Sequence, residues 1–214
     1  MTRIRLPFVL LAICIAVLIG GVSSKADAQA KRVLLLYPYD DVHPSTVSAG
    51  AAMRNRLVEK SPSKIEIYSA FLDLAQFRAE ADARRSAEYL AEKFAGKSLD
   101  LIMPMNSEAE RFLLIYREII GPNVPGVFCC VRPEVANAID RPKDITGIYS
   151  EFDTNKTIEL ARQLQPDARN LVIVSGSSEI DRGWLASLRK GVEPYEKQLK
   201  TEYWIGSPGR ACWR

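Results

Sequence analysis

This sequence is poor in the residues from which many catalytic and metal sites are built. Its 214 residues include one histidine and four cysteines, which largely excludes sites that need several His or Cys ligands. It also lacks an excess of charge of one sign, since 29 basic and 26 acidic residues give a formal net charge of +3. Such a balance does not favour binding to nucleic acid or to an anionic membrane surface. The composition, with 47% apolar and 26% charged residues, is typical of a globular protein.

The signatures of several enzyme classes are missing as well. The sequence contains no G-x-S-x-G, no G-x-x-x-x-G-K-[ST] and no G-x-G-x-x-G, so we expect neither a nucleophile elbow nor a nucleotide cofactor. A hydrolase would have to use His43 as its base, with Asp40 or Asp41 orienting it. Asp40, Asp41 and His43 are also too few ligands at this spacing to predict a metal site. We therefore expect no cofactor and no enzymatic activity.

The first 28 residues have the pattern of a secretory signal peptide. Arg3 and Arg5 precede an apolar run over residues 6–22, and Ala26-Asp27-Ala28 fits an A-x-A cleavage site. The alternative is an uncleaved anchor, although the run is at the short limit for spanning a bilayer. We expect a periplasmic or secreted protein, or one anchored in the inner membrane by this segment.

Beyond residue 30, apolar runs typical of buried strands alternate with segments of helical periodicity. This alternation predicts βαβ units, a parallel sheet and helices on both of its faces. In such sheets a ligand binds outside the carboxyl ends of the strands. The predicted strands are 32–37, 64–68 (near an edge), 99–103, 126–131, 145–149, 171–174 and 201–205, and the predicted helices are 45–60, 82–95, 107–120, 154–164 and about 179–195.

Two of the predicted strands are followed by sequences that resemble helix caps. Ser107 with Glu110 fits an S-x-x-E capping box, and Ser178 with Asp181 resembles a second cap. Capped helix ends at the carboxyl edge of a sheet suit a carboxylate or another anion, because free backbone amides point at it. The alternative is that both serines cap their helices and bind nothing.

Cys129 and Cys130 are adjacent residues of the fourth predicted strand. Neighbouring side chains of a strand point to opposite faces, so this pair is poorly placed for a disulfide. We expect two small buried hydrophobic side chains.

The segments Lys31–Tyr37, 99–104, Gly126–Val131 and 164–176, preceded by a signal peptide, resemble those of a known family. The sequence is similar to the ABC-transporter substrate-binding-like family, which has the type I periplasmic-binding-protein fold. It also resembles the extracytoplasmic sensor region of some bacterial sensor histidine kinases. The resemblance implies an α/β, parallel-sheet protein with a complete first lobe at 31–150 and an incomplete second lobe at 151–205, followed by an irregular tail at 206–214. Two full lobes usually need about 250–300 residues, so we expect a truncated fragment.

The resemblance further implies a non-enzymatic solute-binding module that closes two lobes around a small molecule. An ABC permease, or a kinase module in a longer parent protein, would be its partner, and no nucleic acid is expected. A truncated ligand-sensing domain, a secreted α/β hydrolase and a nonfunctional remnant remain as alternatives. By loop position, the residues that would line the cleft are Tyr39, Asn106, Ser107, Arg132 and Ser177.

Overall fold

The structure is a computed structural model that describes residues 29–77, 79–136 and 140–206. The predicted signal peptide and most of the predicted tail lie outside these residues. Strands and helices alternate along the described chain. They divide into two compact units, and the boundary between them in the chain falls between Ser150 and Glu151. The elements are β1 (Lys31–Tyr37), α1 (Pro44–Lys60), β2 (Ile65–Phe71), α2 (Glu80–Lys93), β3 (Leu101–Pro104), α3 (Asn106–Ile120), β4 (Gly126–Val131), α4 (Pro133–Ala136), β5 (Ile145–Tyr149), α5 (Thr154–Leu164), β6 (Asn170–Ser175), α6 (Glu179–Val192), a 3₁₀ turn (Glu193–Tyr195) and β7 (Lys200–Ile205).

The first unit is built on a five-stranded sheet with the order β2-β1-β3-β4-β5. Every strand pairs in parallel with its neighbours, which confirms the predicted parallel sheet. β1 lies inside the sheet, and its residues from Val33 to Tyr37 are all buried, as its uninterrupted apolar run requires. β2 forms one edge, as the alternating pattern of residues 64–68 predicts.

Alternate residues of β1 contribute to two hydrophobic cores on opposite faces of this sheet. Leu34 and Leu36 face the core that includes residues of α2 and α3. Val33, Leu35 and Tyr37 face the core against which α1 packs. The sheet is thus covered on both faces, and its loops at the carboxyl ends of the strands are left to form a site.

The buried face of α1 partly matches the one that helical spacing predicts, namely Val47, Gly50, Ala51, Leu57 and Val58. Gly50 and Leu57 do face the sheet, whereas Val47 is 54% exposed and Val58 is exposed as well. The helix comes close to the sheet at Gly50, because a Cβ there would come within 2.8 Å of the Tyr37 hydroxyl. This close approach turns toward the sheet the positions that keep helical spacing with Gly50, namely Thr46, Ala49, Met53 and Leu57.

The second unit pairs β6 in parallel with β7 and packs them with α5 and α6 around a small core. Asp153 caps α5 by accepting from the backbone N–H of Lys156. The predicted cap at Ser178 and Asp181 is confirmed, since each side chain bonds the backbone N–H of the other residue. The core consists of Ile158, Ile173, Leu185, Val192, Tyr195 and Leu199. Within the described residues, none of the helices has both the length and the apolar character needed to span a bilayer.

Candidate functional site

The carboxyl edge of the five-stranded sheet brings together four of the five predicted site residues. Tyr39 lies two residues beyond the end of β1, and Arg132 directly follows β4. Asn106 and Ser107 form the start of α3, one residue after the short bridge that extends β3 at Met105. Because the strands are parallel, these loops lie at the same edge. Ser177 follows β6 in the second unit.

Ser107 does not cap α3, which corrects the prediction from the S-x-x-E pattern. The helix begins one residue earlier, at Asn106, and Met105 at the N-cap position makes no side-chain capping bond. The Ser107 hydroxyl, 6% exposed as a residue, accepts instead from the backbone N–H of Arg132 at 3.2 Å. This bond joins the loop after β3 to the loop after β4.

Glu110, the second residue of the expected capping box, is fully buried and forms an ion pair. Its two carboxylate oxygens accept from Arg141 Nε at 2.6 Å and from Arg141 Nη2 at 3.2 Å. The Arg141 guanidinium also lies 5.2 Å from the centre of the Phe128 ring. The pair fastens the segment after α4 to α3. A sequence pattern cannot distinguish such a long-range partner from a local cap.

Asn106 has a left-handed backbone conformation, with a φ of +67°. Asparagine tolerates this region better than most residues, because its short polar side chain bonds locally. The turn at Asn106 carries the chain from β3 directly into α3 at the carboxyl edge. It therefore shapes the part of the site that Ser107 and Arg132 complete.

Tyr39 and His43 lie together in the loop after β1, with ring centres 4.5 Å apart. His43 caps α1, since its Nδ1 accepts from the backbone N–H of Ser45 at 3.3 Å and lies 2.9 Å from the Ser45 hydroxyl. Asp40 accepts from the backbone N–H of His43 at 2.7 Å. Asp40 therefore bonds the main chain of His43. In the hydrolase hypothesis, Asp40 would have to bond the imidazole ring of His43 instead.

Thr46 is a polar residue of this edge that the sequence reasoning missed. It lies in the first turn of α1, is 4% exposed, and its hydroxyl has no hydrogen-bond partner in the described part of the chain. A buried hydroxyl without a partner is unusual, because leaving it unsatisfied costs free energy. A threonine in the first turn after a predicted strand and loop is the signal that could have indicated it.

Ser177 shows the same feature in the second unit. Its hydroxyl is buried and unpartnered among the described residues, while its carbonyl accepts from Arg182 at 2.8 Å. It directly precedes the capping box of α6. Ser177 therefore carries a buried, unsatisfied hydroxyl two residues after the end of β6.

Cys129 and Cys130 are free, half-buried thiols, but their side chains do not point to opposite faces as predicted. Both pack against the core beneath α1. The register of β4 with β5 shifts between Phe128 and Val131, and Cys130 has a φ of +59°, so the regular alternation of a strand is broken here. Burial, followed by the charge and hydrogen bond of Cys130, raises the pKa of Cys129 to about 12.

Two further features of the described residues bear on ligands. They contain no group of three or more His, Cys, Asp or Glu side chains that could hold a metal ion. A cavity of about 460 Å³ lies beside the carboxyl half of β2, between that strand and α2. Its walls include the exposed rings of Phe71, Phe77 and Tyr89. None of the site residues predicted by loop position lines this cavity.

No family model and no curated protein matches this chain, whereas solved structures match it well. A conserved domain protein from Vibrio cholerae is 17% identical, with a TM-score of 0.61 over 83% of this chain and 58% of its own. An ABC domain in complex with L-Trp from Streptococcus pneumoniae is 14% identical, with a TM-score of 0.58 over 83% and 57%. A ligand-free, open substrate-binding protein with adhesive properties from Clostridium difficile is 16% identical, with a TM-score of 0.55 over 83% and 58%.

These similarities establish the fold and confirm the resemblance at that level. The chain is an α/β protein with the type I periplasmic-binding-protein fold. It spans 57–58% of the length of the three solved structures named above. Identities of 14–17% carry no ligand or activity over to this chain, since one fold hosts many functions.

Proposed function

We propose that this chain is a non-enzymatic, extracytoplasmic module that binds a small molecule, as the substrate-binding proteins of ABC transporters do. The ligand would lie at the carboxyl edge of the five-stranded sheet, against Tyr39, Asn106, Ser107 and Arg132. Ser177, in the second unit, stays a predicted ligand-binding residue on its loop position alone. In open α/β sheets, small molecules generally bind outside the carboxyl ends of the strands.

The observation that carries the proposal is the buried hydroxyl of Thr46, which has no hydrogen-bond partner among the described residues. Thr46 lies in the first turn of α1, the helix that follows the loop after β1. Buried polar groups are nearly always hydrogen-bonded, so an unsatisfied one needs a reason. A bound polar molecule that accepts from this hydroxyl supplies it.

The side chains at this edge suit a small carboxylate with an aromatic or apolar body. Arg132 contributes a positive charge, and guanidinium groups bind carboxylates in two-point geometry. Asn106 brings an amide, and the tilted ring of Tyr39 offers an apolar surface. Amino acids belong to this class, and the pneumococcal structure similar to this chain holds L-Trp.

Ligand delivery to an ABC permease is the role we propose, with the chain outside the cytoplasm. The sensing alternative uses the same binding step and differs only in a kinase module of a longer parent protein. Nothing in the site favours the hydrolase alternative, because Asp40 bonds the backbone of His43 and the His43 ring nitrogen Nδ1 serves as a helix cap.

The proposal is tested by titrating the full-length chain with L-Trp, other amino acids and small carboxylates in a calorimeter. Arg132→Gln keeps the backbone N–H that Ser107 accepts and removes only the charge, so we expect it to weaken binding by at least about tenfold. Arg84→Gln, which removes an exposed cation of α2, is the matched control and should leave the affinity unchanged. Equal affinity in both variants would contradict the placement of the site.

A further inference from the structure

Three sulfur atoms come together where β4 packs beneath α1. The thiol of Cys129 lies 3.3 Å from the thioether sulfur of Met53, which is a residue of α1. Cys130, the next residue of β4, packs in the same cluster as Cys129 and Met53. Two thiol side chains of β4 and a thioether of α1 therefore share one cluster of the first unit.

The backbone of β4 is shaped to bring these two thiols to the same side. In a regular strand, consecutive side chains alternate between faces. The register shift between Phe128 and Val131 and the left-handed φ of Cys130, +59°, interrupt that alternation. Residues other than glycine rarely adopt this conformation, and where they do it is concentrated at functional sites. Simple core packing of two cysteines does not require it.

The surroundings of the sulfur atoms suit a soft metal ion and little else. Within the described residues, no carboxylate or imidazole joins them in a group of three, so the donor set offers nothing to a hard ion. Soft sulfur ligands select Cu(I), zinc or iron–sulfur clusters. Zinc is bound by Cys, His and carboxylate ligands rather than by a thioether, so a set of two thiols and one thioether favours Cu(I). Buried apolar side chains of Val33, Leu35 and Met105 belong to the same cluster, and they would limit access of water to a bound ion.

We propose that Cys129, Cys130 and Met53 bind one Cu(I) ion through their three sulfur atoms. Both cysteines are only half-buried, so an ion can reach them from solvent. On binding, each thiol loses one proton to solvent and forms a Cu–S bond. The copper remains Cu(I), so no oxidant or reductant takes part. This site is separate from the proposed solute site in its ligands and its chemistry.

The test is an anaerobic competition for Cu(I) between the protein and a chromophoric Cu(I) chelator. It uses the full-length chain with Cys14→Ser and Cys212→Ser, which leaves Cys129 and Cys130 as its only thiols. We expect this protein to withdraw one equivalent of Cu(I) from the chelator. Cys129→Ser and Cys130→Ser should each lower the affinity by about 100-fold or more. Met53→Leu keeps the apolar volume and removes the sulfur, and about a tenfold loss is expected.

Two further measurements distinguish the loss of a copper ligand from the misfolding of a variant. Thermal unfolding of the metal-free proteins identifies misfolded variants, and Cu(I) should raise the unfolding temperature of the parent more than that of any variant. X-ray absorption of the copper complex should show three sulfur neighbours in the parent and two in Met53→Leu. The proposal is overturned if the chelator keeps all the copper, or if a folded variant lacking both thiols still binds one equivalent.

Discussion

The Ser107 hydroxyl accepts a hydrogen bond from the backbone N–H of Arg132 at 3.2 Å. The bond crosses between the loops that follow β3 and β4, and it is largely shielded from solvent. It fixes the relative position of two loops that the proposed solute site uses. Ser107 is therefore expected to shape the site through the main chain of Arg132.

Removing the Ser107 hydroxyl tests this relationship. Ser107→Ala leaves the Arg132 N–H without its partner, and we expect a loss of about 1–3 kcal/mol in the free energy of unfolding. The loss is measured by urea denaturation. Ser86→Ala is the control, because the Ser86 hydroxyl donates only to the Asp82 carbonyl of its own helix. A loss no larger than that of the control would mean that the bond contributes nothing.

The buried pair of Glu110 and Arg141 predicts a larger effect. Glu110→Gln removes the carboxylate that pairs with the Arg141 guanidinium, which is 15% exposed. Breaking such a pair costs about 3–5 kcal/mol. Glu88→Gln removes an exposed partner of Arg84 and should cost no more than about 1 kcal/mol. Equal unfolding free energies of the two variants, measured in urea, would show that Glu110 does not stabilise the segment after α4.

The left-handed backbone of Asn106 predicts that alanine and glycine at this position will differ in stability. Asn106→Ala keeps the Cβ at a φ of +67° but loses the polar side chain that makes this conformation tolerable, and it should cost about 1 kcal/mol. Asn106→Gly accepts this φ freely and should be more stable than the alanine variant. The comparison is made by thermal unfolding of the three proteins. An alanine variant as stable as the glycine variant would argue against this conformation.

Asp144 makes the stability of the first unit depend on acid. Its hydrogen bonds with Arg117 are the main cause that holds the pKa of Asp144 below its ordinary value of 3.8. A carboxyl group with a lowered folded-state pKa stabilises the protein above its unfolded-state value and loses this effect as the pH falls through the folded-state value. The stability difference between the parent and Asp144→Asn should thus be full near neutral pH and vanish in strong acid. A difference that is constant with pH, followed by urea denaturation, would exclude this coupling.

Much of this fold can be predicted from the sequence, because strands buried on both faces of a parallel sheet have continuous apolar runs. β4, β5 and α5 lie at the predicted residues, and β1 begins one residue early. Their apolar runs and helical periods are set by packing against the hydrophobic core of their own unit. The capping box at Ser178 was also predictable, since both of its hydrogen bonds join residues three apart.

The features that sequence reasoning missed depend on partners distant in the chain. Glu110 was read as part of a cap because its partner, Arg141, is 31 residues away. Val47 and Val58 are exposed although helical spacing predicts them on the buried face with Gly50, because the contact of Gly50 with the Tyr37 ring decides which side of α1 faces the sheet. The thiol of Cys130 departs from strand alternation because of a register shift with β5. None of these is visible in a local pattern.

The carboxyl edge of the five-stranded sheet is proposed to bind a small carboxylate. The most direct measurement is thermal unfolding of the full-length chain with and without amino acids and small carboxylates. A ligand that binds the native state stabilises it, by about 2.7 kcal/mol at 100 times its Kd. We expect a cooperative transition that at least one such compound shifts upward, and no shift by the same compound in Arg132→Gln. A cooperative transition that none of these compounds moves, or a shift retained in full by Arg132→Gln, would contradict the account.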